Sequence, residues 1–228
     1  MSQVVLITGA SGNLGRAVAA AFEGQGASLA LLGHGATPSA DGAAPGPLRV
    51  AADLRDAAGV QAAVDEVVRR LGRIDVLCNL AGGFRMGEAV HETSDATWDF
   101  LLDLNARSIV HTARAVVPHM LAAGRGCIVN VGAAGAAKGG ATMGAYAASK
   151  SAVARLTESM SAELRERGIR VNCVLPTIID TPENRAAMPQ ADPARWVAPA
   201  DLANVIAFLA SDAARAVHGA SLPVSGLS

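Results

Sequence analysis

Aromatic residues are scarce in this chain of 228 residues: 3% of the total, with four Phe, two Trp and a single tyrosine, Tyr146. Charge is scarce as well, since Asp, Glu, Lys and Arg make up 17%, the formal net charge is −1 and no basic run occurs. A nucleic acid or an anionic membrane surface therefore finds no electrostatic footprint. Cysteine is limited to Cys78, Cys127 and Cys173, far apart and each inside an apolar run. That excludes a disulfide framework and points to buried thiols in a reducing compartment. The histidines His34, His91, His111, His119 and His218 show no ligand spacing, so no metal is expected. No apolar run reaches the length of a membrane span. Met1 leads into Val4–Ile7 without a basic segment or a cleavable apolar stretch, so the expectation is a soluble, cytoplasmic protein.

What the chain does contain is apolar residue (51%), 24 glycines and much alanine, a profile suited to tightly packed helices on buried strands. Val4–Ile7 is apolar without alternation, as in a strand covered on both faces. Further strands are expected at 28–32, 48–51, 74–80, 127–131, 169–175 and 220–224. Helices are expected after Leu14, over 57–71, through most of 94–123, over 145–167 and over 199–211. Residues 36–47 read as a surface loop rich in Gly, Pro and Ala. Strands alternating with helices from end to end predict one α/β domain over 1–228, a Rossmann-type doubly wound parallel sheet of about seven strands with helices on both faces. A ligand should lie at the carboxyl ends of its strands.

Thr8-Gly9-Ala10-Ser11-Gly12-Asn13-Leu14-Gly15 follows the first strand and opens a helix. Glycines there let backbone N–H groups approach a diphosphate, and the helix dipole favours its charge. The end of the second strand reads Leu32-Gly33-His34, without the carboxylate that would hydrogen-bond an adenosine ribose. Gly33 leaves room for a 2′-phosphate that His34 or Arg16 could contact, so NADP(H) is favoured over NAD(H). In Gly144–Lys150, Tyr146 and Lys150 lie four residues apart and share a helix face. The ammonium is expected to lower the tyrosine pKa and make Tyr146 a general acid or base.

With these motifs in this order, the chain resembles the short-chain dehydrogenase/reductase family from the first strand to Val224. The residues that carry the likeness are Thr8–Gly15, Asp53-Leu54, Asn79-Leu80-Ala81-Gly82, Asn105, Tyr146–Lys150, Pro176 and Thr181. The resemblance implies a cofactor site formed by Gly9, Ser11, Gly12, Asn13, Leu14, Gly33, His34, Asp53, Leu54, Asn79, Ala81, Gly82, Tyr146, Lys150, Pro176, Ile179 and Thr181. It gives Tyr146 the proton transfer, Lys150 the nicotinamide ribose and Asn105 a water relay; the competing reading of a mid-helix asparagine is a solvated side chain or a helix kink. Family oligomers use the two long helices, which implies a homotetramer or homodimer.

There are departures. The position thirteen before Tyr146, where the family has a serine, is Ala133, and no hydroxyl lies close in sequence. A missing oxyanion donor costs about 2–4 kcal/mol of transition-state stabilisation. Gly9, Gly12 and Gly15 are spaced unlike the main branch, and Thr177 follows Pro176 where glycine is usual. The first two departures are similar to the dihydropteridine reductase branch, whose conjugated substrate makes a serine dispensable; Phe84 after Ala-Gly-Gly, and Asp180 to Trp196, extend that likeness. That branch uses NADH and has an aspartate where this chain has Gly33. Phe84, Ala133, Met143, Met188 and Trp196 are candidate substrate-pocket residues, with ordinary packing the competing reading. The segment 177–198 is either a lid or a long ordered loop. The implied activity is hydride transfer to a C=O or conjugated C=N group of a small molecule, dihydropterin-like or a general ketone or 3-oxoacyl compound. A backbone N–H near Gly132 is a candidate replacement for the serine. The alternative from another class is a catalytically silent NADP(H) sensor or scaffold.

Overall fold

A computed structural model describes residues 2–34 and 46–228. Of the loop expected over 36–47, residues 36–45 lie outside the described residues. Seven strands form one all-parallel sheet: β1 (Val4–Thr8), β2 (Ser28–Gly33), β3 (Leu48–Ala51), β4 (Val76–Asn79), β5 (Gly126–Val131), β6 (Ile169–Pro176) and β7 (Ser221–Val224). Their order is β3-β2-β1-β4-β5-β6-β7. The order reverses between β1 and β4, where Thr8 pairs with Asn79, and that crevice is where ligands bind in such sheets.

The central strands β1, β2 and β4 read as near-continuous apolar runs because both faces are covered. Val5 and Ile7, Leu29 and Leu31, and Val76 and Cys78 point to one layer, with Val18 and Phe22 of α1 (Asn13–Glu23) and Leu202 and Ile206 of α7 (Pro199–Ala210). Leu6, Ala30, Leu32, Leu77 and Ile128 point to the other. There they meet Val60 and Val64 of α2 (Ala57–Leu71), Val116 and Met120 of α4 (Ser108–Ala123), and Leu164 at the end of α5 (Gly144–Leu164). This period-two partition fixes the register, since a slip of one residue would exchange the layers. The ends of α2 follow its caps: Asp56 accepts from the Ala58 N–H, and Gly72 takes the left-handed conformation.

Two elements differ from the sequence reading. The helix expected over 94–123 is α3 (Asp95–Leu102) and α4, joined by a π-helical turn (Asp103–Arg107) that carries Asn105. Within 177–198 lies α6 (Pro182–Ala187), capped by Thr181, whose hydroxyl oxygen accepts from the Asn184 N–H, with Pro182 in its first turn.

Candidate active site

The nucleotide wall begins at Thr8. Its buried hydroxyl oxygen accepts from the N–H groups of Leu80 (3.1 Å) and Ala81 (3.2 Å), which ties the end of β1 to the stretch after β4. Gly9 follows with φ +66°, and a Cβ there would lie 2.9 Å from the Ala81 Cα. A Cβ on Gly15 would sit 2.6 Å from the Ala10 Cα and closer still to the Gly9 carbonyl. Helix α1 therefore seats directly on the turn, and only hydrogen fits at both contacts. Its N-cap is Gly12 and no side chain caps it, which leaves the first-turn N–H groups for an anion. These features fit a dinucleotide diphosphate.

The neighbouring side chains have specific duties. Arg16 donates to the Ser11 carbonyl and to Asn13 Oδ1 (2.6 Å), so its guanidinium is turned onto the glycine-rich turn. Leu14 packs against the core beside α1. Gly33 ends β2 with nothing among the described residues within 4 Å of where a Cβ would be, and His34 beside it is exposed. The Asp53 carboxylate accepts from Arg55 Nε (3.0 Å), from Arg55 NH2 (2.7 Å) and from the Arg55 backbone N–H (2.9 Å). Those bonds hold its pKa down to about 2, with a smaller contribution from His34. Leu54 is buried, with its carbonyl 2.9 Å from His111 Nδ1. Asn79 spends its side chain in the core: its amide donates to Asn130 and its oxygen accepts from Thr112, each at 2.9 Å. Asn130 in turn donates to Thr157, so a buried polar ladder links α4, β4, β5 and α5. The sequence reading missed Asn130, Thr112 and Thr157.

At the start of α5 the structure brings Tyr146, Lys150, Asn105 and Gly82 together. Lys150 is 7% exposed, and its Nζ donates to the Val131 carbonyl at 2.9 Å. A Cβ on Gly82 would lie 3.0 Å from that Nζ and 2.9 Å from Asn105 Oδ1. Asn105 holds Gly83 from both sides: its Oδ1 accepts from the Gly83 N–H (2.7 Å) and its Nδ2 donates to the Gly83 carbonyl (3.0 Å). The same Nδ2 donates to Ser149 Oγ (2.9 Å), which donates to the Tyr146 carbonyl (2.8 Å). Asn105 is thus neither solvated nor a mere kink; it sets the backbone beside Tyr146.

Burial governs the titration of the pair. It lowers Lys150 to about 8, with Cys173 opposing slightly, and it raises Tyr146 above its ordinary value. This corrects the expectation that lysine would lower the tyrosine pKa. Both groups are desolvated, and Lys150 directs its hydrogen bond to Val131. The phenol is held in its protonated, acidic form.

Ala133 is extended (φ −158°) ahead of a short turn at Ala134–Ala136. The Gly132 N–H donates to the Val174 carbonyl at 2.9 Å, so it is spent within the sheet and is no replacement for a serine. Beside Tyr146, Phe84 presents a T-shaped contact with ring centroids 4.8 Å apart. A cavity of about 170 Å³ is lined by the residues that follow Phe84 and precede Tyr146 in the chain, among them Arg85, Glu88, Thr97, Thr142, Met143 and Ala145. Met143 lines this cavity, and Phe84 touches Tyr146. Met188 is half-buried at the end of α6. Trp196 is buried, with its carbonyl against Gly226. Pro176 closes β6 opposite Val224, Ile179 bridges to Val197, and Thr181 is the α6 cap. Arg85, Glu88 and Thr142 were missed, although a charge directly after Ala-Gly-Gly-Phe, with a second three residues on, was a visible signal.

Among the described residues no group of His, Cys, Asp or Glu could hold a metal ion, and no helix is long and apolar enough to cross a membrane. Residues 9–226 match the family model described as enoyl-(acyl carrier protein) reductase. The chain is 36% identical to D-threitol dehydrogenase of Mycolicibacterium smegmatis, over 98% of this chain and 92% of that protein. It is 32% identical to a 3-oxoacyl-[acyl-carrier-protein] reductase of Staphylococcus aureus, over 99% and 98% respectively. The structure superposes on carveol dehydrogenase from Mycobacterium avium, solved in complex with NAD, with a TM-score of 0.84 and 30% identity. That superposition covers 97% of this chain and 95% of the other.

Proposed function

The chain belongs to the short-chain dehydrogenase/reductase family and is a nicotinamide-dependent oxidoreductase, and from that premise we propose that it interconverts a small carbonyl compound and its alcohol with Tyr146 as proton donor. The observation that carries this reading is the half-buried Tyr146 one helical turn from the buried Lys150, whose Nζ is framed by Asn105 and Gly82. A nicotinamide dinucleotide held along the glycine-rich turn would supply the hydride. Tyr146 gives its proton to the substrate oxygen as that oxygen gains charge. Lys150 stabilises the phenolate left behind and binds the ribose hydroxyls. Asn105 is a positioning residue, acting through Gly83, Ser149 and the backbone of Tyr146.

Burying an ammonium beside so few partners costs stability. A sensor without chemistry has no use for that cost, which argues against the silent alternative. NADP(H) is the proposed cofactor, on the open space beside Gly33 and the absence of a carboxylate there. Ala133 supports a second reading, a conjugated dihydropterin-like substrate that needs no serine hydroxyl. We further propose one domain over 1–228, a cytoplasmic location in keeping with three free, buried thiols, and a homotetramer or homodimer built on α4 and α5.

Stopped-flow oxidation of NADPH and NADH with a panel of ketones and with quinonoid dihydrobiopterin tests this reading. Ketone turnover supports the first reading and exclusive pterin turnover the second. Tight cofactor binding with no turnover on either would defeat both.

A further inference from the structure

The connection between β4 and α3 is a docked wall. The Gly87 N–H donates to the Thr142 carbonyl at 2.9 Å. Val90 lies so near Gly144 that a Cβ there would come within 2.6 Å of its Cγ2. The Glu88 carboxylate accepts from the Ser94 N–H and the Thr97 hydroxyl, each at 2.9 Å, which fastens the start of α3. Thr142, with φ +57°, is the one non-glycine residue in the left-handed region among the described residues. Such strain marks a backbone held by its surroundings. These contacts border a half-open cavity of about 170 Å³, which Gly144 and Ala145 line just ahead of Tyr146. One water needs roughly 10–15 Å³ on this measure, so a small organic molecule fits.

Arg85 lines that cavity directly after Phe84, whose ring meets Tyr146. Its guanidinium lies over the Phe100 ring, 3.8 Å from the centroid, and makes one long contact, NH1 to the Ala96 carbonyl at 3.5 Å. No salt bridge joins it to a carboxylate among the described residues. Glu88 shares the cavity: its oxygens accept from Ser94 and Thr97, and its charge interacts with the Arg85 guanidinium from beyond salt-bridge distance. Stacking thus fixes the orientation of Arg85 while leaving most of its five N–H donors for a ligand.

Building on the proposed carbonyl chemistry, we propose that this cavity selects carbonyl substrates bearing a carboxylate, which Arg85 binds while the carbonyl faces Tyr146. A planar fork matches a carboxylate bidentately, and such charge-assisted bonds are roughly twice as strong as neutral ones. Arg85 is then the residue that sets specificity, and small oxo-acids are the substrate class.

The test measures kcat/KM with NADPH for a panel of small 3-, 4- and 5-oxo-acids and their methyl esters, in the wild type, Arg85→Met and Arg85→Lys. NADPH affinity, followed by fluorescence, confirms that each variant is folded. The wild type should prefer an acid over its ester by tenfold or more. Arg85→Met should erase that preference, mainly through KM, and Arg85→Lys should restore only part of it. Equal use of acid and ester by the wild type, or an Arg85→Met preference as large as the wild type's, overturns the assignment. Absence of any carbonyl turnover in a wild type that binds NADPH overturns the proposed function, and this inference with it.

Discussion

Asn13 and Glu183, far apart in sequence, meet through a hydrogen bond of 2.9 Å from Asn13 Nδ2 to Glu183 Oε2. The bond joins the glycine-rich turn to α6, and Arg16 braces the Asn13 side chain from the other side. In this structure α6 is therefore fastened to the glycine-rich turn. Glu183→Ala should release NADPH roughly two- to fivefold faster, as loss of one exposed hydrogen bond allows, and should speed limited proteolysis within 177–198. Stopped-flow displacement reads the first effect. An unchanged release rate would sink the role of the bond.

Replacing Lys150 by Met should separate stability from activity. Burial lowers the folded-state pKa of Lys150 from 10.5 to about 8. Below pH 8 the amine is protonated in both states and the full cost of burying charge is present. Between pH 8 and 10.5 the unfolded chain holds a proton that the folded chain has lost, so wild-type stability rises with pH. Lys150→Met should thus be the more stable protein at pH 7, by about 1–3 kcal/mol. Its advantage should shrink as pH climbs towards 10.5, while turnover is lost. Paired urea melts at several pH values decide this, and an advantage independent of pH would refute it.

Gly82→Ala places a methyl 3.0 Å from Lys150 Nζ and 2.9 Å from Asn105 Oδ1. Overpacking of this kind costs about 1–3 kcal/mol, and here the strain falls on the catalytic lysine. We expect a lowered melting temperature and at least a tenfold drop in kcat. Wild-type kcat in this variant would mean that the contact has no bearing on catalysis.

Burial raises the pKa of all three thiols, with Cys127 and Cys173 at about 11 and Cys78 moved in the same direction. Ellman's reagent should find almost no reactive thiol in the native protein and three after denaturation. A fast native thiol would show that one of them is accessible.

The sequence made much of this legible, for identifiable reasons. The bounds of α2 follow from local chemistry, Asp56 at its start and Gly72 at its end. The glycine-rich turn and the Tyr146–Lys150 pair are local motifs and could be read directly. The Asn79 ladder could not, because Thr112, Asn130 and Thr157 are lone polar residues in apolar segments that meet only when the sheet assembles. The π turn at Asn105 leaves no periodic signature. Helix α6 carried a usable signal, Thr181 followed by Pro182, obscured by the prolines around it. The direction of the Tyr146 shift was misread because spacing along a helix reveals proximity but not burial.

The most direct test of the account is Tyr146→Phe, with kcat on the best carbonyl substrate and NADPH affinity measured on the same preparation. The phenyl ring preserves the contact with Phe84 and removes only the acidic proton. Turnover should fall by about 10²–10⁴, the range for loss of a positioned general acid, while the dissociation constant stays within about threefold. Turnover within tenfold of wild type would contradict the assignment of Tyr146 as proton donor.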